Sequence, residues 1–183
     1  MTEWNAIVLA GGRASRLGGI DKTALVFGGA TLLEHALAAA AGARSIVVVG
    51  ANSAVVETPR FAGPAAATIA GLNALPPTPY TAVLAADQPR IARALPLLLD
   101  ALAGRSVVAV DEHGRRQPLL AVYDSAALAR AAAEAGPLEN LAMSALIGRI
   151  PLLDVSLPAG LCADVDTPDD ARALGIAAGL AHV

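Results

Sequence analysis

At 183 residues, 55% of them hydrophobic, and with a formal net charge of −3, the chain is long enough to bury one full core and carries no field that would draw a nucleic-acid polymer. Arginines and prolines interrupt every apolar run before the roughly 18 residues a bilayer span needs, and Met1-Thr2-Glu3-Trp4 lacks the basic start and apolar run of a signal peptide. No membrane is therefore expected, the cytoplasm is the default location, and the single cysteine, Cys162, excludes an internal disulfide and a cysteine-based zinc cluster.

Residues 6–9, Ala-Ile-Val-Leu, form a short apolar run that predicts a buried strand. The stretch after it reads Leu9-Ala10-Gly11-Gly12-Arg13-Ala14-Ser15-Arg16-Leu17-Gly18-Gly19-Ile20-Asp21-Lys22. Paired glycines at a strand's carboxyl end let backbone amides approach a phosphate, and Lys22, the only lysine in the chain, suits a point charge beside one. A glycine-rich turn with solvated arginines is the other reading of the spacing. The Rossmann and P-loop glycine patterns both fail to fit.

Thr31-Leu32-Leu33-Glu34 has the form of a capping box and predicts a helix ending at Gly42. Residues 45–50 predict a buried strand, Gly63-Pro64 a helix start with the helix over 65–75, and Pro76-Pro77 its stop. A strand over 80–85, a helix over 94–103 and a strand over 106–110 follow. This βαβαβ rhythm predicts an α/β fold with a three-layer, mainly parallel, Rossmann-like sheet. Residues 118–123 are expected to form a hairpin with the strand before them, helices are expected over 125–135 and 138–147, and short strands over 152–155 and 161–165. Thr167-Pro168-Asp169-Asp170 supplies an N-cap, an N1 proline and first-turn acids for a final helix. A single domain over 1–183 is expected, with a nucleotide-binding half at 1–110 and an acceptor-binding half at 111–183.

Asp87 lies just beyond the 80–85 strand, on the edge where the glycine loop also falls. One such aspartate suffices for a triphosphate-bound Mg²⁺, whose octahedron is filled largely by phosphate oxygens and water. An Asx turn ahead of Pro89 is the alternative. Asp164 and Asp166 point the same way from the expected last strand, where Asp166 would lie near the same ion; helix capping is the alternative.

Leu-Ala-Gly-Gly-x-x-x-Arg-Leu-Gly-Gly-x-Asp-Lys resembles the signature loop of the nucleotidyltransferases that include molybdenum cofactor guanylyltransferase, which join GMP to molybdopterin. Cytidylyl relatives usually begin with Ala-Ala-Gly. The resemblance implies a sheet of the nucleotide-diphospho-sugar transferase type and a Mg²⁺-dependent transfer of GMP from GTP to molybdopterin or a related phosphorylated acceptor, with pyrophosphate leaving. It implies nucleotide binding by Leu9, Ala10, Gly11, Gly12, Arg13 and Lys22, and a catalytic set of Arg16, Lys22 and Asp87. It implies metal binding by Asp87 and Asp166, and a carboxylate at Glu57 that would select guanine through its N1 and N2 hydrogens.

Gln117-Pro118-Leu119 resembles the strand bordering the acceptor, and a monomer is compatible with the whole. The sequence departs from the family where Asp164 and Asp166 replace asparagines, where Ala67 replaces a glycine, and where Gly136-Pro137-Leu138-Glu139 lacks the family's arginine. These departures keep open a cytidylyl or sugar-phosphate nucleotidyltransferase and a non-catalytic nucleotide-binding homologue.

Overall fold

The computed structural model describes residues 2–11, 21–50, 53–139 and 141–176. The chain runs β1 (Trp4–Leu9), a 3-10 turn (Lys22–Ala24), β2 (Val26–Phe27), β3 (Ala30–Thr31), α1 (Leu32–Ala39), a second 3-10 turn (Ala40–Gly42), β4 (Ile46–Val49), α2 (Pro64–Asn73), β5 (Tyr80–Ala85) and α3 (Ile91–Asp100). It continues through β6 (Ser106–Val110), β7 (Arg116–Asp124), α4 (Ser125–Ala133), α5 (Met143–Ile147), β8 (Leu152–Ser156) and α6 (Pro168–Ala173).

Among the described residues six strands make one sheet in the order β4-β1-β5-β7-β6-β8, with β2 and β3 a separate hairpin. Only β7 runs against the rest, pairing antiparallel with β5 and β6, whereas the β1–β4, β1–β5 and β6–β8 pairs are parallel. The mainly parallel three-layer sheet expected from the βαβαβ rhythm is thus present. Strands β1 and β5 are buried along their whole length, which is why, apart from the buried Asn5 and Thr81, they read as apolar runs instead of alternating ones.

One face of the sheet packs residues such as Val8, Leu84 and Leu120 against α1 and α3. The other packs Ile7, Val83, Ala121 and Tyr123 against α2, α4 and α5. A smaller cluster joins Leu25, Leu32, Val165, Ala171 and Ile176, so the segment after the glycine loop is fastened to α6.

The capping box of α1 is formed, with the Thr31 hydroxyl accepting from the Glu34 N–H and the Glu34 carboxylate accepting from the Thr31 N–H. Asp170 and Thr167 make the same reciprocal pair at α6.

Four local expectations are corrected. Residues 161–165 form no strand: Leu161 N–H donates to the Pro158 carbonyl at 3.1 Å, turning the chain, and the run is apolar because Leu161, Cys162 and Val165 fill the core from a loop. The helix expected over 138–147 is only α5, since no side-chain cap or continuous backbone ladder supports the residues before Met143. Helix α3 starts at Ile91, ahead of the expected 94, because the buried Ile91 completes an apolar stripe with Ala94, Leu95 and Leu98. Strand β4 is an edge, with Ile46 39% exposed and only Val49 fully buried, so it is not the buried strand expected. No helix among the described residues is long and apolar enough to cross a membrane.

Candidate functional site

The ends of β1, β4 and β5 continue into one another past their last strand residues. Ala10 N–H donates to the Val49 carbonyl at 2.8 Å and Ala86 N–H to the Leu9 carbonyl at 3.0 Å. A Cβ on Gly50 would lie 2.7 Å from the Ala10 carbonyl oxygen, and one on Gly11 3.3 Å from the Gly50 Cα. Glycine at both positions is what allows the two chain segments to leave the sheet in contact.

At this edge lies a cavity of about 630 Å³, within the range of small-ligand sites. Leu9, Gly11, Glu57, Gly63 and Pro64 form its wall on the β1–β4 side, Gln117, Pro118 and Leu119 its wall on β7, and Asp87, Gln88 and Asp164 its floor. The register of β7 against β6 shifts between Val108 and Ala109, so that Ala109 pairs with Gln117 and the residues between bulge. A bulge re-aims side chains beside a site, and here it delivers the Gln117-Pro118-Leu119 wall. The Tyr123 hydroxyl donates to the Pro118 carbonyl at 2.8 Å and holds that wall in place.

Lys22 opens its 3-10 turn under the cap of Asp21, whose carboxylate accepts from the Thr23 N–H at 3.0 Å and hydroxyl at 2.7 Å. The Lys22 ammonium then reaches Asp166 at 2.5 Å and Asp87 at 3.8 Å. Asp166 is held there from two directions. Val165 N–H donates to the Asp87 carbonyl at 3.1 Å, and the Asp166 N–H donates to the Asp170 carboxylate at 3.1 Å.

Three carboxylates, Asp87, Asp164 and Asp166, therefore gather about one ammonium. Burial pushes the Asp87 carboxyl up to about 6, against the pull of Lys22 and with Asp164 adding to the rise. Asp164 is raised as well, by burial first and then by Asp166. That surplus of negative charge suits a cation. Among the described residues no group of three His, Cys, Asp or Glu side chains has the arrangement of a complete metal site. The donor set fits a hard ion such as Mg²⁺ that takes one or two protein carboxylates and keeps phosphate and water oxygens.

Among the other sequence candidates, Leu9 and Gly11 line the cavity, while Ala10 spends its N–H on Val49 and contributes shape. Glu57 is 9% exposed on the cavity wall, its carboxylate accepting from the Phe61 N–H at 3.0 Å. Gly12, Arg13 and Arg16 lie outside the described residues. Asp164 and Asp166 stand on a loop, not on the expected strand, yet both face the Lys22 neighbourhood. Arg115 and Arg116 are exposed and paired with Asp111 and Asp154. Cys162 is a buried thiol, pushed up to about 11 by burial and then by Asp111 and Glu112, and so is inert.

Three cavity residues escaped the sequence reading: Gln88, Phe61 and Met143. Phe61 takes a left-handed backbone at φ 62°, which no local pattern announces. Met143 carries the spacing of an ordinary core residue, and Gln88 hides behind the more conspicuous Asp87.

The family model described as "MobA-like NTP transferase domain" matches residues 6–149. The chain is 33% identical over 144 residues to a molybdenum cofactor guanylyltransferase of Ralstonia nicotianae, covering 66% of this chain and 70% of that one. It is 31% identical over 136 residues to one of Acidiphilium cryptum, covering 67% of each. Among solved structures, molybdopterin-guanine dinucleotide biosynthesis protein A from Archaeoglobus fulgidus superposes with a TM-score of 0.67 at 19% identity, over 93% of this chain and 96% of that one. A 2-C-methyl-D-erythritol 4-phosphate cytidylyltransferase from Thermus thermophilus gives 0.64 at 22% identity, over 94% and 97%. These two likenesses show the nucleotidyltransferase fold.

Proposed function

Since the chain belongs to the MobA-like NTP transferase family, whose members are nucleotidyltransferases, we propose that it transfers GMP from GTP to molybdopterin and releases pyrophosphate. The observation that carries this reading is the approach of Lys22, at 3.8 Å, to Asp87, which lines the cavity at the carboxyl edge of the sheet. Nucleotidyl transfer needs no covalent protein intermediate. It asks for positioning and for opposite charge where the phosphate oxygens become more negative.

Under this proposal the acceptor's terminal phosphate attacks the α-phosphorus of GTP. Leu9, Ala10, Gly11, Gly12 and Arg13 shape and hold the nucleotide side, and Arg16 and Lys22 balance charge on the α and β phosphates. Asp87 and Asp166 would hold Mg²⁺, which when bound screens the phosphate charge. For Lys22 to serve the phosphates its ammonium must leave Asp166, and a cation taken up by the carboxylates would favour that exchange. The buried carboxylate of Glu57 would accept from the N1 and N2 hydrogens of guanine. The same reading draws on GTP in the cytoplasm and calls for no nucleic acid, membrane or second subunit.

Pyrophosphate release with GTP, Mg²⁺ and molybdopterin tests the proposal. Stoichiometric release that depends on the acceptor is expected. Release with CTP in preference to GTP would assign the protein to cytidylyl transfer, and nucleotide binding without release would make it a non-catalytic homologue.

A further inference from the structure

Gln88 is 4% exposed and lines the cavity, and its side-chain carbonyl oxygen is buried without a hydrogen-bond partner. Leaving a buried acceptor unsatisfied is costly, so such an atom lining a cavity points to a donor that arrives with a ligand. Its position says which ligand. Gln88 follows β5, whose neighbour beyond the nucleotide side is β7, and Leu84 pairs with Leu120 in a register that runs on toward Gln117 and Pro118.

Gln117 strengthens the assignment. Its side-chain nitrogen donates to the Asp111 carboxylate at 3.0 Å. An ionised carboxylate only accepts, which fixes the amide's orientation and leaves the Gln117 carbonyl as the group on offer. Two amide carbonyls from residues lining one cavity offer acceptors to a flat ring edge rich in N–H donors.

We propose that Gln88 is a substrate-selecting residue: its buried carbonyl, with that of Gln117, accepts hydrogen bonds from the N–H and amino groups of a 2-amino-4-oxopyrimidine ring, the pterin portion of the acceptor. The choice of acceptor over nucleotide rests on the guanylyl-transfer reading above. No bond is made or broken by either glutamine, and their contribution is orientation of the acceptor toward the α-phosphorus.

The test is a fluorescence titration of the purified protein, without nucleotide, using 6-hydroxymethylpterin and the corresponding lumazine, in which oxygen replaces the 2-amino group. A site built to receive a donor rejects the analogue that lacks it, so wild type should prefer the pterin by about tenfold or more. Gln88→Leu should abolish the preference, Gln88→Glu should retain it, and the affinity for GTP with Mg²⁺ should be unchanged in both. Gln88→Met serves if the leucine variant does not fold.

A preference that survives Gln88→Leu and Gln88→Met, a wild type with no preference, or a loss of GTP affinity parallel to the loss of pterin affinity would each overturn the assignment. The titration requires no turnover. Absence of guanylyl transfer would sink the proposed function and leave this measurement to stand or fall separately.

Discussion

The Val165 N–H donates to the Asp87 carbonyl at 3.1 Å, so the loop bearing Asp164 and Asp166 is tied to the turn bearing Asp87 by a main-chain bond in addition to the Lys22 ion pairs. The spacing of these carboxylates is thus set partly by backbone. Substituting any one side chain should leave the others in place, and the site can be taken apart one charge at a time.

Lys22→Ala and Asp87→Ala should each lower kcat/KM for GMP transfer by about 10²–10⁴-fold, the range for removing a charge-stabilising group from a phosphoryl site. Both side chains are partly exposed, at 22% and 27%, so circular dichroism should stay that of wild type. Lys22→Arg should restore the rate only in part, because the larger, planar guanidinium keeps the charge but not the compact placement of the ammonium. Wild-type turnover in either alanine variant would remove that residue from the mechanism.

Protonation of Asp87 gives a pH dependence. Its folded value is raised from 3.8 to about 6, so the carboxylate a cation needs is depleted below that pH. Activity at low magnesium should fall about tenfold per unit below pH 6, and added magnesium should move the falling limb to lower pH. The sign for stability is opposite to that of a salt-bridged acid. The folded protein holds this proton more tightly than the unfolded chain, so the stabilisation is fully present below 3.8 and is lost as pH rises through about 6. Asp87→Asn should therefore raise the melting temperature at pH 7.5 more than at pH 4. An equal change at both would contradict the shift.

Glu57→Gln should raise KM for GTP by about tenfold, the worth of one charge-assisted hydrogen bond, and leave KM for molybdopterin unchanged. Competition by CTP and UTP should gain ground in the same variant. An unchanged order of nucleotides, measured by inhibition of pyrophosphate release, would move base selection elsewhere.

Gly71→Ala tests the packing under the site. A Cβ there would lie 2.6 Å from Ile7 Cγ2 and 3.1 Å from Val49 Cγ2, so α2 approaches β1 and β4 as closely as a missing side chain permits. Overpacking of this kind costs about 1–3 kcal/mol, and chemical denaturation should show a loss of that size. No loss would mean that α2 is free to shift.

Much of the scaffold was legible because its signals are local. The β5 run, the Thr31–Glu34 box and the Thr167–Asp170 box each declare themselves within a few residues, and each stands where expected. The 161–165 run misled because burial from a loop produces the same apolar composition as burial in a strand. At the site, the type and sheet edge of Asp87 were readable. Its 3.8 Å approach to Lys22, the pairing of Lys22 with Asp166, and the stranded carbonyl of Gln88 depend on segments brought together from far along the chain, and no short pattern encodes them.

The insertion of β7 between β5 and β6 has a bearing on how the molecule comes into being. A nascent chain that has released only its first 110 residues carries β5 and β6 with a strand-wide gap between them, two open edges able to pair with any other exposed strand. The central layer closes only when residues 116–124 have emerged. A truncation before that strand should give aggregate in place of a nucleotide-binding fragment, and cells making this protein would depend on the second half following promptly behind the first.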